Sequence, residues 1–235
     1  MKEIKSTNVS MHILTIDNLG AGRSPQPREL YTTREMAKSV CACLDKLDIV
    51  NAIVLGHSMG SAIAQHIALC CPKRVRRLFL VSSFAKLDTV AARFLQARYE
   101  LMAAHVEKAL VAKASMPSLF GNRFLENEDN VALGIQRVIE NPQTPDGMKG
   151  QLNACITHNT LKSISDIQCD TTIIVGTRDV LIHPEHSTVL HERIPGSELI
   201  SLEDYGHMLP LECPEKLCRH LVSSDTRIPE LTYID

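Results

Sequence analysis

Apolar residues along the chain fall into short unbroken runs, separated by stretches whose apolar positions recur at helical spacing. Residues 13–17 (ILTID) form such a run, ended by Asn18, Gly20 and Gly22, and read as a buried strand followed by a turn. Thr32 or Thr33 is placed to cap a helix carrying Met36, Val40, Leu44 and Leu47 on one face. Residues 52–56 (AIVLG) give a second strand, and 61–71 a helix stopped by Pro72. Further strands fall at 78–81 (LFLV), 172–175 (TIIV) and 199–202 (LISL). A closing helix over 214–221 begins with Pro in its first turn. Strands without apolar–polar alternation, separated by helices, predict an α/β fold with a mostly parallel sheet and helices on both faces.

The rhythm breaks between Phe84 and Asp170. No strand pattern appears there, residues 91–114 are rich in strong helix formers, and Pro117, Gly121, Pro142, Pro145 and Gly147 punctuate the rest of the stretch. The expected organisation is a core of 1–83 and 171–235 with a helical insertion, 84–170, lying over the sheet. A loose tail is expected from about Ser223.

Composition narrows the function. The 235 residues are 44% hydrophobic and 22% charged, with a net charge of −2, no Trp and 4% aromatics. Such a near-neutral chain has no broad electrostatic reason to bind nucleic acid or an anionic membrane, and little to stack bases on. No apolar run reaches the roughly 18 residues of a membrane helix, and the polar start lacks the apolar core of a signal peptide. A cytoplasmic location is therefore expected. Cys41, Cys43, Cys70, Cys71, Cys155, Cys169, Cys213 and Cys218 show no metal-ligand spacing and read as thiols packed like small hydrophobes. Neither a cofactor nor a metal is expected, and the oligomeric state is not legible.

The segment Gly56-His57-Ser58-Met59-Gly60 directly follows a strand and directly precedes a helix, which is the setting the G-x-S-x-G pattern requires. A serine on that turn presents its hydroxyl at the positive end of a helix, and the N–H of Met59 points where an oxyanion would form. Gly56 and Gly60 are expected to leave room where side chains would collide. A serine hydroxyl needs a base, and the base an orienting carboxylate. Asp179 follows the 172–175 strand and His207 follows the 199–202 strand, in the order Ser, acid, His. Read singly, Asp179 is a turn residue and His207 a surface loop residue. Read together, three loops at one edge of a parallel sheet bring them to one point. Asp88 is a second candidate for the acid. His57 reads as packed beneath the turn, Asp17 and Arg23 as bracing theirs, and His183, His186 and His191 as helix-surface residues. Leu95, Tyr99, Met102 and Val106 read as a packing stripe, with some members facing a pocket.

On these motifs the chain resembles the α/β-hydrolase superfamily, from Asp17 to about Leu221. Residues 17–24 (DNLGAGRS) look like the family's turn after its fourth strand. Gly56 to Gly60 look like its nucleophile elbow, Gly176 to Asp179 like its acid loop, and Gly206-His207-Met208 like its histidine loop. The insertion stands where the family carries a cap. Within the superfamily, Thr144-Pro145-Asp146-Gly147 and the spacing are most similar to 3-oxoadipate enol-lactonase-like and small carboxylesterase-like members. The resemblance implies an acyl-enzyme mechanism on a small carboxylic ester or lactone, with Ser58 as nucleophile, His207 as base, Asp179 as its orienting acid and Met59 N–H in the oxyanion hole. Carbon–carbon hydrolase and cofactor-free perhydrolase activities use the same triad and stay open. The resemblance also implies two or three earlier strands and a His-Gly loop with a second oxyanion donor, where this sequence offers only residues 1–12. The fold is thus expected to be N-terminally shortened, with residues 1–12 as a substitute strand or an exposed edge on 13–17 and 52–55. The rival expectation is a weakly active or inactive binding protein.

Overall fold

The computed structural model describes residues 2–6, 9–140 and 143–223; the expected tail, from 224 onward, lies outside them. Four strands, β3 (Ala52–His57), β4 (Val75–Val81), β5 (Asp170–Gly176) and β6 (Glu198–Leu202), form an all-parallel sheet in sequential order. Their unalternated runs have a direct cause. In β4, Leu78 and Leu80 point into the core on one face, while Phe79 and Val81 point into the core on the other. Ile173 and Ile174 of β5 divide the same way. A strand buried on both faces has no polar side to show.

Three helices cover the first face: α1 (Thr33–Lys46), α2 (Met59–Cys70) and α8 (Pro184–Arg193), contributing Met36, Ile63, Ile67 and Leu190. The second face packs on Leu209 of the short α9 (Leu209–Glu212) and Leu217 of α10 (Pro214–Ser223). Helix α1 starts where expected. The Thr32 hydroxyl accepts from Glu35 N–H and the Glu35 carboxylate reaches back to the Thr32 N–H, a capping arrangement that stabilises the start by about 1 kcal/mol. Leu47 lies beyond the helix as its C-cap and is exposed.

Between β4 and β5 the chain is helical: α3 (Thr89–Ala103), α4 (Lys108–Leu119), α5 (Asn122–Leu125), α6 (Glu128–Glu140) and α7 (Pro145–Thr157). A small separate core of Met116, Phe120 and Phe124 joins α4 and α5. Helix α7 ties back to the core through His158. Its Nε2–H donates to Gln65 Oε1 at 3.2 Å, and its Nδ1 accepts from Thr33 Oγ1 at 2.9 Å. The amide nitrogen of Gln65 is committed to Ser83 Oγ and the Phe84 carbonyl, which leaves Oε1 as the acceptor and fixes the proton on Nε2. Burial holds the His158 imidazole far below its usual range, down to about 3.

The N-terminal segment departs from expectation. Strand β1 (Lys2–Ser6) pairs antiparallel with β2 (Val9–Ile13) in a two-stranded sheet of its own, rather than lining up beside β3. The strand expected over 13–17 keeps only Ile13; residues 14–18 are irregular. A strand exists through its ladder bonds, and no described strand lies next to β3 to receive one there. β3 is consequently an edge strand, and Leu55 on it is 41% exposed. The turn over 17–24 is braced as expected: Asp17 Oδ2 accepts from Arg23 N–H, and the Asp17 carbonyl accepts from Ser24 Oγ. All eight cysteines are free thiols, and Cys41 Sγ meets Cys71 Sγ at 3.4 Å. Among the described residues no helix is long and apolar enough to cross a membrane.

Candidate active site

Strand β3 ends at His57 and α2 starts at Met59, so the whole strand-to-helix turn rests on Ser58. Its φ of 54° and ψ of −122° lie where a serine is strained. The neighbours enforce it. Ser58 N–H donates to the Val81 carbonyl at 2.9 Å, and the Ser58 carbonyl accepts from Ser61 N–H and Ser61 Oγ. Gly56 is required: a Cβ there would stand 2.2 Å from the Gly60 carbonyl oxygen. Gly60 differs from expectation. A Cβ there would meet nothing within 4 Å among the described residues.

The other two residues arrive on separate loops. Asp179 leaves β5; its Oδ1 accepts from Leu181 N–H at 3.1 Å and Ile182 N–H at 2.8 Å, which aims Oδ2 outward. His207 leaves β6. Its Nδ1 lies 2.9 Å from Asp179 Oδ2 and its Nε2 lies 2.9 Å from Ser58 Oγ. The carboxylate can only accept, so Nδ1 carries the proton and Nε2 is left to accept from the serine hydroxyl. Asp179 and His207 are 1% and 2% exposed, so the contact between them lies out of bulk water, while Ser58 is half-buried. The three residues singled out from sequence are thus brought together in one hydrogen-bonded chain.

The supports of this chain are partly unforeseen. His57 donates from Nε2 to the His207 carbonyl at 2.8 Å, and Ser82 Oγ donates to the same oxygen at 3.1 Å. Burial lowers the His57 imidazole to about 4, so this support is neutral near pH 7. Glu212 accepts from the N–H groups of Gly121 and Gly206, pinning the loop one residue before His207 to the start of α5. Burial raises the Glu212 carboxyl above its usual range. Glu212 stands in the segment following His207 that resembles the family's closing helix, but its bonds to two separate loops arise only in the tertiary structure. Asp88 is no alternative acid. Its Oδ1 accepts from Ala91 N–H at the start of α3 and its Oδ2 accepts from His186 Nε2, so both oxygens are committed away from His207. His183 caps α8 and His191 meets Ser197, and no group of three potential metal ligands occurs among the described residues.

Ser58 and His207 open on a cavity of about 880 Å³ beneath the helices that follow β4. Leu95, Met102 and Val106 of the expected stripe line it, and Tyr99 is not among the lining residues. Met59, at the first position of α2, offers its N–H at the helix start beside Ser58. No residue before His57 lines the cavity among the described residues, so the second donor segment implied by the resemblance has no counterpart in its wall.

Residues 5–214 match the sequence profile of the alpha/beta hydrolase fold family. The chain belongs to that family. RutD of Azorhizobium caulinodans, provisionally named a carbamate hydrolase, is 25% identical over 217 residues, covering 91% of this chain and 80% of its own length. The crystal structure of BpoC from Mycobacterium tuberculosis, provisionally named a non-heme bromoperoxidase, superposes with a TM-score of 0.79 at 26% identity, covering 88% of this chain and 78% of BpoC. The enol-lactonase of Burkholderia xenovorans shares the fold, with a TM-score of 0.79 at 22% identity over 88% of this chain and 77% of its own. The family profile and the likeness to RutD support hydrolysis as the general activity of this chain.

Proposed function

We propose that the protein is a serine hydrolase that cleaves a small carboxylic ester or lactone through an acyl-enzyme. The observation that carries this reading is the pair of 2.9 Å contacts linking Ser58, His207 and Asp179. Ser58 Oγ attacks the carbonyl carbon while His207 Nε2 takes its proton. Asp179 holds the proton-bearing Nδ1 and stabilises the imidazolium that forms. The developing oxyanion is received by Met59 N–H at the positive end of α2. His207 then protonates the leaving alcohol and activates water, which releases the acid and frees Ser58. In a lactone the two products remain one molecule, a hydroxy acid. The segment 84–170 acts as a cap whose apolar lining limits the size of the acyl group. No cofactor takes part, and the eight thiols fit a reducing, cytoplasmic setting.

A second reading, a weakly active or inactive binding protein, is favoured by one observation: no described residue before His57 reaches the cavity wall. With one oxyanion donor in place of two, turnover is lower by on the order of a hundredfold to a thousandfold. A fluorophosphonate probe and a series of p-nitrophenyl esters separate the readings. The hydrolase is expected to be labelled at Ser58 and to lose at least about a thousandfold in kcat on Ser58→Ala. A folded chain that resists labelling and turns over no ester supports the binding protein instead.

A further inference from the structure

Helix α3 turns its Leu95 and Met102 toward the cavity, and midway between them, at the i+3 position from Leu95, stands Arg98. The residue is half-buried and its Nε is fully enclosed without a hydrogen-bond partner. Among the described residues no carboxylate, carbonyl or hydroxyl faces its guanidinium at bonding distance. A donor nitrogen enclosed with no acceptor is costly, because it has given up water without gaining a partner. Burial alone pulls this guanidinium below its usual range. The charges around it do not compensate. Glu107 is the one carboxylate on the cavity wall among the described residues, against Arg98 and Lys108, so it cannot neutralise both, although the whole chain carries −2.

We infer that Arg98 anchors a carboxylate on the acyl portion of the substrate, so that this protein selects esters or lactones carrying a second, anionic group distal to the scissile carbonyl. The inference rests on the hydrolase reading above, and names the substrate class of that site. A carboxylate matches the planar fork of one guanidinium with two parallel hydrogen bonds and a single charge. Arg98 and Ser58 line the same cavity together with Phe94, Leu95, Leu119 and Leu181, which suits an apolar chain joining the anion to the reacting carbonyl. When the anion arrives, the enclosed Nε–H gains its partner, and a substrate lacking the anion leaves it unsatisfied, which is the basis of discrimination.

The test compares mono-4-nitrophenyl glutarate with the uncharged 4-nitrophenyl hexanoate. The wild-type protein is expected to favour the anionic ester by about tenfold or more in kcat/KM, through KM, and R98Q to lower that ratio by about tenfold or more. R98K is expected to retain part of the preference. A wild-type ratio of one or below, or a ratio unchanged in R98Q, overturns the inference while leaving the hydrolase reading intact. If neither ester turns over, the hydrolase reading fails separately. Titration of the wild-type protein with glutarate by calorimetry then decides: saturable binding that R98Q abolishes supports the anchor, and absence of binding overturns it. If R98Q does not fold, the wild-type ratio and the glutarate titration decide by themselves, with the same outcomes for and against.

Discussion

Ser58 is held at φ 54° by its bonds to Val81 and Ser61 rather than by its own preference, and Asp179 is aimed by two backbone N–H groups rather than by a rotamer of choice. Catalytic geometry at this scale is thus imposed from outside each residue. Asp179→Asn tests it cleanly. The amide oxygen still accepts from Leu181 and Ile182, so the loop keeps its shape. The amide nitrogen then donates to His207 Nδ1, which drives the imidazole proton to Nε2 and leaves nothing to accept from Ser58. We expect kcat on p-nitrophenyl esters to fall by about 10⁴ with an unchanged melting temperature; a drop under tenfold would show that Asp179 is not the orienting acid. Ser58, Asp179 and His207 were legible because the elbow pattern and the post-strand positions each restrict where the next partner can stand. Arg98 and Glu212 were not. An arginine in an Ala- and Leu-rich helix has the pattern of a solvated face, and only the tertiary packing above the sheet encloses it.

Elements owe their limits to neighbours as much as to sequence. The 13–17 run has the composition of a strand but no ladder to join, whereas 78–81, with the same character, extends to Val75–Val81 between two partners. Helix starts were read more closely, since capping and Pro signals act locally, as at Thr32 and at Pro214. What ties α1, α2 and α7 together was hidden from the sequence, because the partners of His158 lie 93 and 125 positions away. That junction has a pH signature. Folded His158 stays neutral down to about 3, whereas in the unfolded chain it takes up a proton near 6.5. Stability contributed this way is complete above about pH 7 and is lost as pH falls through 6.5 towards 3. The slope is about 1.4 kcal/mol per pH unit for each such group. His57, at about 4, adds to the same decline. Urea unfolding at pH 7.5, 6.5 and 5.5 is expected to show it, and His158→Gln to flatten it. Equal slopes in the two proteins would exclude His158 as a source.

Across the whole molecule, the parallel sheet with helices on both faces was legible, since doubly buried strands write their surroundings directly into sequence. The edge at β3 was legible only as a consequence of the family resemblance. It exposes Leu55 beside a row of backbone groups that no described strand covers. An uncovered edge of that kind pairs with other chains. Sedimentation is expected to detect concentration-dependent association, and Leu55→Lys to diminish it; association indifferent to that substitution would locate the contact elsewhere. The same β3 strand also supplies His57, whose bond to the His207 carbonyl bypasses the serine and the aspartate entirely. Deleting the nucleophile therefore leaves the general base moored. A Ser58→Ala crystal soaked with intact ester would capture the unreacted complex in native register, a snapshot that an enzyme whose imidazole hung on its serine alone could not provide.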